Sequence, residues 1–148
     1  MVKTGSRLSS TAAMPSYAFN YCSSLSSIDW LSSCYTGLTA LPSYAFYYCQ
    51  GITSLSSLPS RIKSLGSYEF YYCTGLTGIQ NLRSTGLTSL HNSSVFRYCT
   101  NVNEWKLPST LTGTYFGDYA FGNNSALSAI ELPESLTAIA SYCFYLDT

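Results

Sequence analysis

Few side chains in this 148-residue chain can do chemistry, and their spacing limits what they can do. Six cysteines stand at 22, 34, 49, 73, 99 and 143 without a Cys-x-x-Cys pair, and the one histidine, His91, has no close partner. A zinc site brings together four N or S ligands, commonly as closely spaced pairs, so this set argues against a metal. A Ser-His-Asp relay would have to run through His91, which stands in the bend Leu90-His-Asn-Ser-Ser. The seven acids fall at 29, 69, 104, 118, 131, 134 and 147. Glycoside hydrolysis needs two converging carboxylates about 5–10 Å apart. Asp29, Glu104 and Glu131 could share one face, but nothing in the sequence encloses them. No Gly-x-Ser-x-Gly, His-Glu-x-x-His or Gly-x-x-x-x-Gly-Lys-Ser/Thr motif is present. The expectation is a non-enzymatic protein with no cofactor and no metal.

The composition narrows the partners. Charged residues make up 9% of the chain, against about 25% in an average domain, and seven Lys plus Arg balance seven Asp plus Glu. Serine (26 residues) and threonine (15) fill more than a quarter of the positions, so hydroxyls stand where charges usually do. Binding to nucleic acid depends on several cations neutralising phosphates, and no basic patch of that kind exists here. No run of 18 apolar residues is available to span a membrane. A hydrophobic share of 46% at zero net charge is the composition of a folding chain, not a disordered one. Behind the basic residues of Met1–Arg7 there is no apolar run of the secretory type, so no signal peptide is expected and the compartment stays open. The sequons Asn92-Ser93-Ser94 and Asn123-Asn124-Ser125 matter only in a secretory pathway.

The elements that must position these residues emerge from a repeat. Phe19, Phe46, Phe70, Phe96, Phe121 and Phe144 recur at intervals of 27, 24, 26, 25 and 23 residues. Two residues before each stands Tyr17, Tyr44, Tyr68, Ser94, Tyr119 or Tyr142, and three after stands Cys22, Cys49, Cys73, Cys99, Asn124 or Asp147. Apolar residues follow at six (Leu25, Ile52, Leu76, Val102, Leu127), at nine (Ile28, Leu55, Ile79, Trp105, Ile130) and at eleven or twelve (Leu31, Leu58, Leu82, Leu107, Leu132). Another apolar residue precedes most phenylalanines by five: Met14, Leu41, Leu65, Phe116 or Ile139. A unit of this size cannot bury its apolar face alone, but stacked copies can, which is the principle of a solenoid. The alternation at the end of Leu127–Leu132 predicts one short strand per turn, stacked into a parallel sheet. The compact segment from Tyr to Cys predicts a short helical or 3₁₀ turn on the opposite side.

The unit from Leu58-Pro-Ser-Arg-Ile-Lys-Ser-Leu-Gly-Ser-Tyr-Glu-Phe-Tyr-Tyr-Cys to Ile79, and again Leu132-Pro-Glu-Ser-Leu-Thr-Ala-Ile-Ala-Ser-Tyr-Cys-Phe144, resembles the BspA-like leucine-rich repeat. The resemblance implies a right-handed, curved leucine-rich-repeat solenoid. Its short parallel strands would lie on the concave face and its 3₁₀ or irregular turns on the convex face, in five to six turns of about 23–27 residues. Residues 1–13 are expected to form an N-terminal segment that serves as a weak cap. Residues 14–148 are expected to form a single repeat domain whose last turn is incomplete. Proteins that resemble it are mostly microbial surface or secreted interaction proteins, adhesins among them, and the family extends to phage-like proteins. Two functions follow as expectations. One is recognition of a protein or glycan. The other is a structural or assembly subunit, of a fibre or virion, joined through uncapped solenoid ends as a homo-oligomer or larger assembly.

Three sets of residues are candidates for function. The strand face pointing away from the core is expected to carry Asp29, Ser54, Ser56, Gln80, Glu104, Lys106 and Glu131, a mildly acidic and hydroxylic strip. Tyr21, Tyr47, Tyr48, Tyr71, Tyr72 and Tyr98 are expected to form a tyrosine surface. Tyrosine offers large contact area at low entropic cost, although simple stacking between turns would use the same residues. Cys22, Cys49, Cys73, Cys99, Asn124 and Asp147 share a column and are expected to form a structural ladder of side chains bonding to backbone. Parallel Cβ vectors argue for reduced thiols there despite a disulfide-compatible distance. Cys143 replaces the alanine that usually precedes Phe and should be core, leaving Cys34 as the candidate for an exposed thiol.

Overall fold

In a computed structural model, residues 12–112 and 115–146 are described. The phenylalanine column is the spine of the molecule. Its six rings stack face to face from Phe19 to Phe144, with centroids 5.4–6.0 Å apart. Phe46, Phe70, Phe96 and Phe121 are fully buried. Backbone bonds follow the rings from turn to turn: the Phe19 N–H donates to Ala45 O at 2.9 Å, Phe70 to Val95 at 2.9 Å and Phe96 to Ala120 at 2.8 Å. Each of these bonds satisfies a buried amide that would otherwise weaken the core.

Around each phenylalanine the chain folds through consecutive hydrogen-bonded turns, the irregular turns that the resemblance implies, and among the described residues they do not continue into the short helix that the compact Tyr-to-Cys segment also allowed. The reason lies in the backbone. The residues two before and two after each Phe all have positive φ: Tyr17 and Tyr21, Tyr44 and Tyr48, Tyr68 and Tyr72, Ser94 and Tyr98, Tyr119 and Asn123, Tyr142 and Leu146. A left-handed residue cannot continue a right-handed helix and costs an L-residue about 1–2 kcal/mol. The compensation is interturn bonding at the same residues, since Tyr48 N–H donates to Tyr71 O (2.8 Å) and Tyr72 N–H to Arg97 O (2.9 Å).

The one helix among the described residues, α1 (Leu31–Cys34), lies elsewhere, in the longest repeat, and buries Leu31. Arg61 from the next turn finishes it, donating through Nη2 to Leu31 O (2.6 Å) and Tyr35 O (2.8 Å). A cation at a helix C-terminus also complements the helix dipole.

Strands occupy two columns per turn where the sequence predicts one. The expected column forms a three-stranded parallel sheet of β3 (Thr77–Asn81), β4 (Asn101–Lys106) and β6 (Ala129–Glu131). The apolar column five residues before Phe forms two further parallel pairs. These are β1 (Ala40–Leu41) with β2 (Ser64–Leu65), and β5 (Tyr115–Phe116) with β7 (Ala138–Ile139). The result is a parallel-strand solenoid of about four strand-bearing turns threaded on six stacked phenylalanines, since the segments around Ile28 and Leu55 form no strand and α1 follows the first of them.

The apolar columns close the core with two exceptions. Ile79 is 56% exposed and Gln80 is buried, the reverse of the expected pattern. A register shift between Gly78 and Ile79, opposite the skipped Asn103 of β4, aligns Gln80 with Trp105, and Gly78 takes a left-handed φ of 62° at the shift. In the last described turn Leu132 and Ile139 are 48% and 46% exposed, since no further described turn stacks on them. Of the expected N-terminal cap, residues 1–11 lie outside the described residues.

Gly75 and Gly78 do different jobs. A Cβ on Gly75 would sit 2.1 Å from Gln50 O in the preceding turn, whereas one on Gly78 meets nothing within 4 Å. Gly78→Ala is therefore expected to cost about 1 kcal/mol through its φ alone. Gly75→Ala should cost more, because two turns must separate. Urea unfolding midpoints of the two variants measure the order, and equal losses would contradict it.

Candidate functional site

Tyrosine forms the most extensive repeated surface. One column stacks Tyr17 on Tyr44 (4.6 Å) and Tyr44 on Tyr68 (4.9 Å), and resumes after Ser94 with Tyr119 on Tyr142 (5.0 Å). A second stacks Tyr47 on Tyr71 at 5.0 Å. A third runs Tyr21, Tyr48, Tyr72 and Tyr98, with steps of 5.0, 4.5 and 5.6 Å. Between columns the rings are tilted, as for Tyr44 and Tyr47 (58°) or Tyr47 and Tyr48 (49°). Offset stacking and tilted contacts are the favoured aromatic geometries, so the face is one cohesive phenolic layer. Tyr17, Tyr21 and Tyr142 are more than half exposed.

The six tyrosines expected to form the surface lie together, joined by Tyr17, Tyr44 and Tyr68 of the neighbouring column. Their constant position two residues before Phe was the available signal. Arg97 takes the place that Tyr47 and Tyr71 hold in earlier turns. Its guanidinium lies 4.1 Å from the Tyr119 ring centroid and 5.0 Å from that of Tyr98, and Nε donates to Asn123 Oδ1 at 2.9 Å. Burial, reinforced by neighbouring phenols, pushes Tyr47 up to about 12 and raises Tyr44 and Tyr48. Burial likewise raises Tyr71. These hydroxyls stay protonated and able to donate at neutral pH.

The strand face comes together only in part. Glu104, Lys106 and Glu131 share the three-stranded sheet, where Lys106 pairs in register with Glu131 and approaches Glu104 at 3.7 Å. Asp29, Ser54 and Ser56 lie in the earlier turns, outside the strands. There the Ser57 and Ser27 hydroxyls hold the Asp29 carboxyl below its usual range, and Ser54 donates to the Ser56 hydroxyl at 3.0 Å. Gln80 does not belong to the face: buried by the register shift, it accepts from Leu55 N–H and donates to Thr53 O and Thr77 O. Ile79 takes its outward place. Arg83 adds an ion pair to Glu131 beside an open groove of about 600 Å³ lined by Leu107, Pro108, Leu132 and Glu134. Each acid on this face is engaged by a cation or a hydroxyl.

The Cys22, Cys34, Cys49, Cys73 and Cys99 side chains are reduced thiols. The Cys49, Cys73 and Cys99 thiols donate to the phenylalanine carbonyl of the preceding turn, Phe19 O (2.9 Å), Phe46 O (3.3 Å) and Phe70 O (3.3 Å). Asn124, in the same column, instead turns its amide back to Phe121 O in its own turn, and Asp147 lies outside the described residues. Cys22 is the exposed thiol, while Cys34 on α1 is half-buried, which corrects the expectation for Cys34; Cys143 is buried. Burial pushes Cys49 up to about 12 and raises Cys73 and Cys99. A thiol so far from ionising is a poor nucleophile and metal ligand.

Of the seven acids, one among the described residues lies in the core. Glu69 stands where other turns have Ala45, Val95 or Ala120, and it is fully buried. Its one described bond is from Ala45 N–H at 3.4 Å, and burial raises its carboxyl well above the ordinary range.

Comparison with known proteins agrees with this architecture. A family described as the BspA type leucine-rich repeat region matches residues 12–148 in six copies. A leucine-rich cell surface protein of Faecalibacterium prausnitzii A2-165 has a similar solved structure, with a TM-score of 0.59 and 26% identity over 82% of this chain. The match covers 30% of that protein's chain, so the present chain spans under a third of its length. Among curated proteins nothing matches. Among the described residues no helix is long and apolar enough to cross a membrane.

Two outcomes follow from these environments. Thiol labelling of the native protein should modify Cys22 first and Cys34 more slowly, and unfolding in denaturant without reductant should release all six thiols; a lower count would mean disulfides. Because the Glu69 carboxyl is raised in the fold, the folded state holds its proton above the ordinary carboxylate pKa of 4.5. The contribution is full below that ordinary value and is lost as pH rises above it and through the raised folded-state value. Thermal melts from acid to neutral pH should show Glu69→Val gaining on the wild type as pH increases, and parallel curves would contradict the buried acid.

Proposed function

The chain belongs to the BspA-type leucine-rich-repeat family, and from that footing we propose that it is a non-enzymatic recognition module, adhesin-like, whose repeated surface binds a protein or a glycan. The tyrosine face carries the reading. Stacking immobilises the rings before any partner arrives, so little side-chain entropy remains to be lost on binding. The resemblance to a cell surface protein supports a role in contact with other molecules. Nothing about the dispersed acids or the high thiol pKa values favours turnover of a substrate.

A second reading, a structural or assembly subunit, draws on the last described turn. Leu132, Ile139, Tyr142 and Leu146 are exposed there on one repeat. Exposed apolar surface of this kind favours association.

Binding to immobilised glycans and extended peptides tests the first reading. Tyr48→Ala with Tyr72→Ala should weaken a bound partner by about tenfold or more, the scale of a hot-spot loss. Glu104→Ala with Lys106→Ala should change little. Binding indifferent to the tyrosines would refute their role. Under the assembly reading, sedimentation would show concentration-dependent association abolished by Ile139→Asp.

A further inference from the structure

We propose that the tyrosine face is a platform for proline-rich segments in the polyproline II conformation, laid along the solenoid axis with an acidic residue opposite Arg97. The inference rests on the recognition reading above and names its ligand class. Three observations converge on it.

The first is spacing. A polyproline II helix rises about 3.1 Å per residue with three residues per turn, so it repeats about every 9 Å. Two steps of the column Tyr21, Tyr48, Tyr72 and Tyr98, whose centroids lie 4.5–5.6 Å apart, match one such repeat. An extended strand presents the same face about every 6.7 Å and falls out of register with the column within one repeat.

The second is the chemistry of the exposed atoms. Within each column the ring faces cover one another, so edges and hydroxyls are left to a ligand. Sugars that stack on aromatic residues need an open ring face, and the columns offer one only at their ends. A proline segment instead has carbonyls without internal partners and no N–H groups of its own. It accepts where the phenols donate, and its ring methylenes pack against tyrosine edges, as in aromatic-lined grooves that hold such helices.

The third is charge. Apart from Arg97, the three columns carry only uncharged side chains, and among the described residues Arg97 makes no ion pair. Its guanidinium is held over Tyr98 and Tyr119, in the line of the tyrosines. A carboxylate in the segment would complement it.

The test titrates the full chain with a fluorescent decaproline-type peptide containing one aspartate. A neutral proline peptide, a Gly-Ser peptide of equal length and a linear β-linked oligosaccharide serve as comparisons. The acidic proline peptide should bind best. Tyr48→Phe with Tyr72→Phe keeps the stacked rings and should weaken it about fivefold, the loss of one or two donors, with the melting temperature unchanged. Arg97→Gln should bring the acidic peptide down to the neutral one. Equal binding of the Gly-Ser peptide, or no effect of the Phe pair, would overturn the proposal. Tyrosine-dependent binding of the oligosaccharide alone would also overturn it while leaving the recognition reading standing. Absence of any tyrosine-dependent binding would remove both.

Discussion

Each turn of this protein is stable only against its neighbours, and the contact that makes it so is the stack of phenylalanine rings with the backbone bonds beside it. The rings lie 5.4–6.0 Å apart, and the amides of the same residues reach the next turn. This spacing sets the pitch for everything else. Strands in both columns, thiol-to-carbonyl bonds and tyrosine stacks all repeat at the distance that the phenylalanine column and the ladder bonds allow.

The tyrosine face is a consequence of that constraint. To wrap the chain closely around each Phe, the backbone enters the left-handed region on both sides of it. Glycine would relieve the strain there, yet tyrosine holds most of these positions. The physical sense is that a tyrosine trades the local backbone cost for ring stacking and an interturn hydrogen bond. The residues that hold the bend are thereby the residues displayed on the surface. Structure and recognition share one set of side chains, so the surface is rigid before it meets a ligand.

Buried polar groups mark where the repeat is broken, and each break has its own repair. Gln80 enters the core after the register shift at Gly78 and bonds three backbone groups of its own and the preceding turn. Arg61 folds back onto the carbonyls at the end of α1. Among the described residues Glu69 has one long bond, from Ala45 N–H, and burial favours its protonated form. The first two exchange one set of hydrogen bonds for another, and the third leaves a pH-sensitive point in the core.

The repeat, the core columns, the tyrosines and the cysteine column were legible in the sequence, because identical side chains at a fixed interval can face one way only if the chain coils at that interval. The family resemblance rested on the same columns. What escaped was local. The positive φ values flanking Phe leave no compositional mark when tyrosine occupies them, so a helical turn was expected. The register shift at Gly78 reversed Ile79 and Gln80, because a strand alternates its faces and a one-residue shift exchanges inside for outside. The second strand column, the joining of three tyrosine columns into one face, the direction of each thiol and the break between Asp29 and Glu104 depend on how neighbouring turns dock. Repetition along the chain determined which residues recur; only the stacking of turns decided which of them touch.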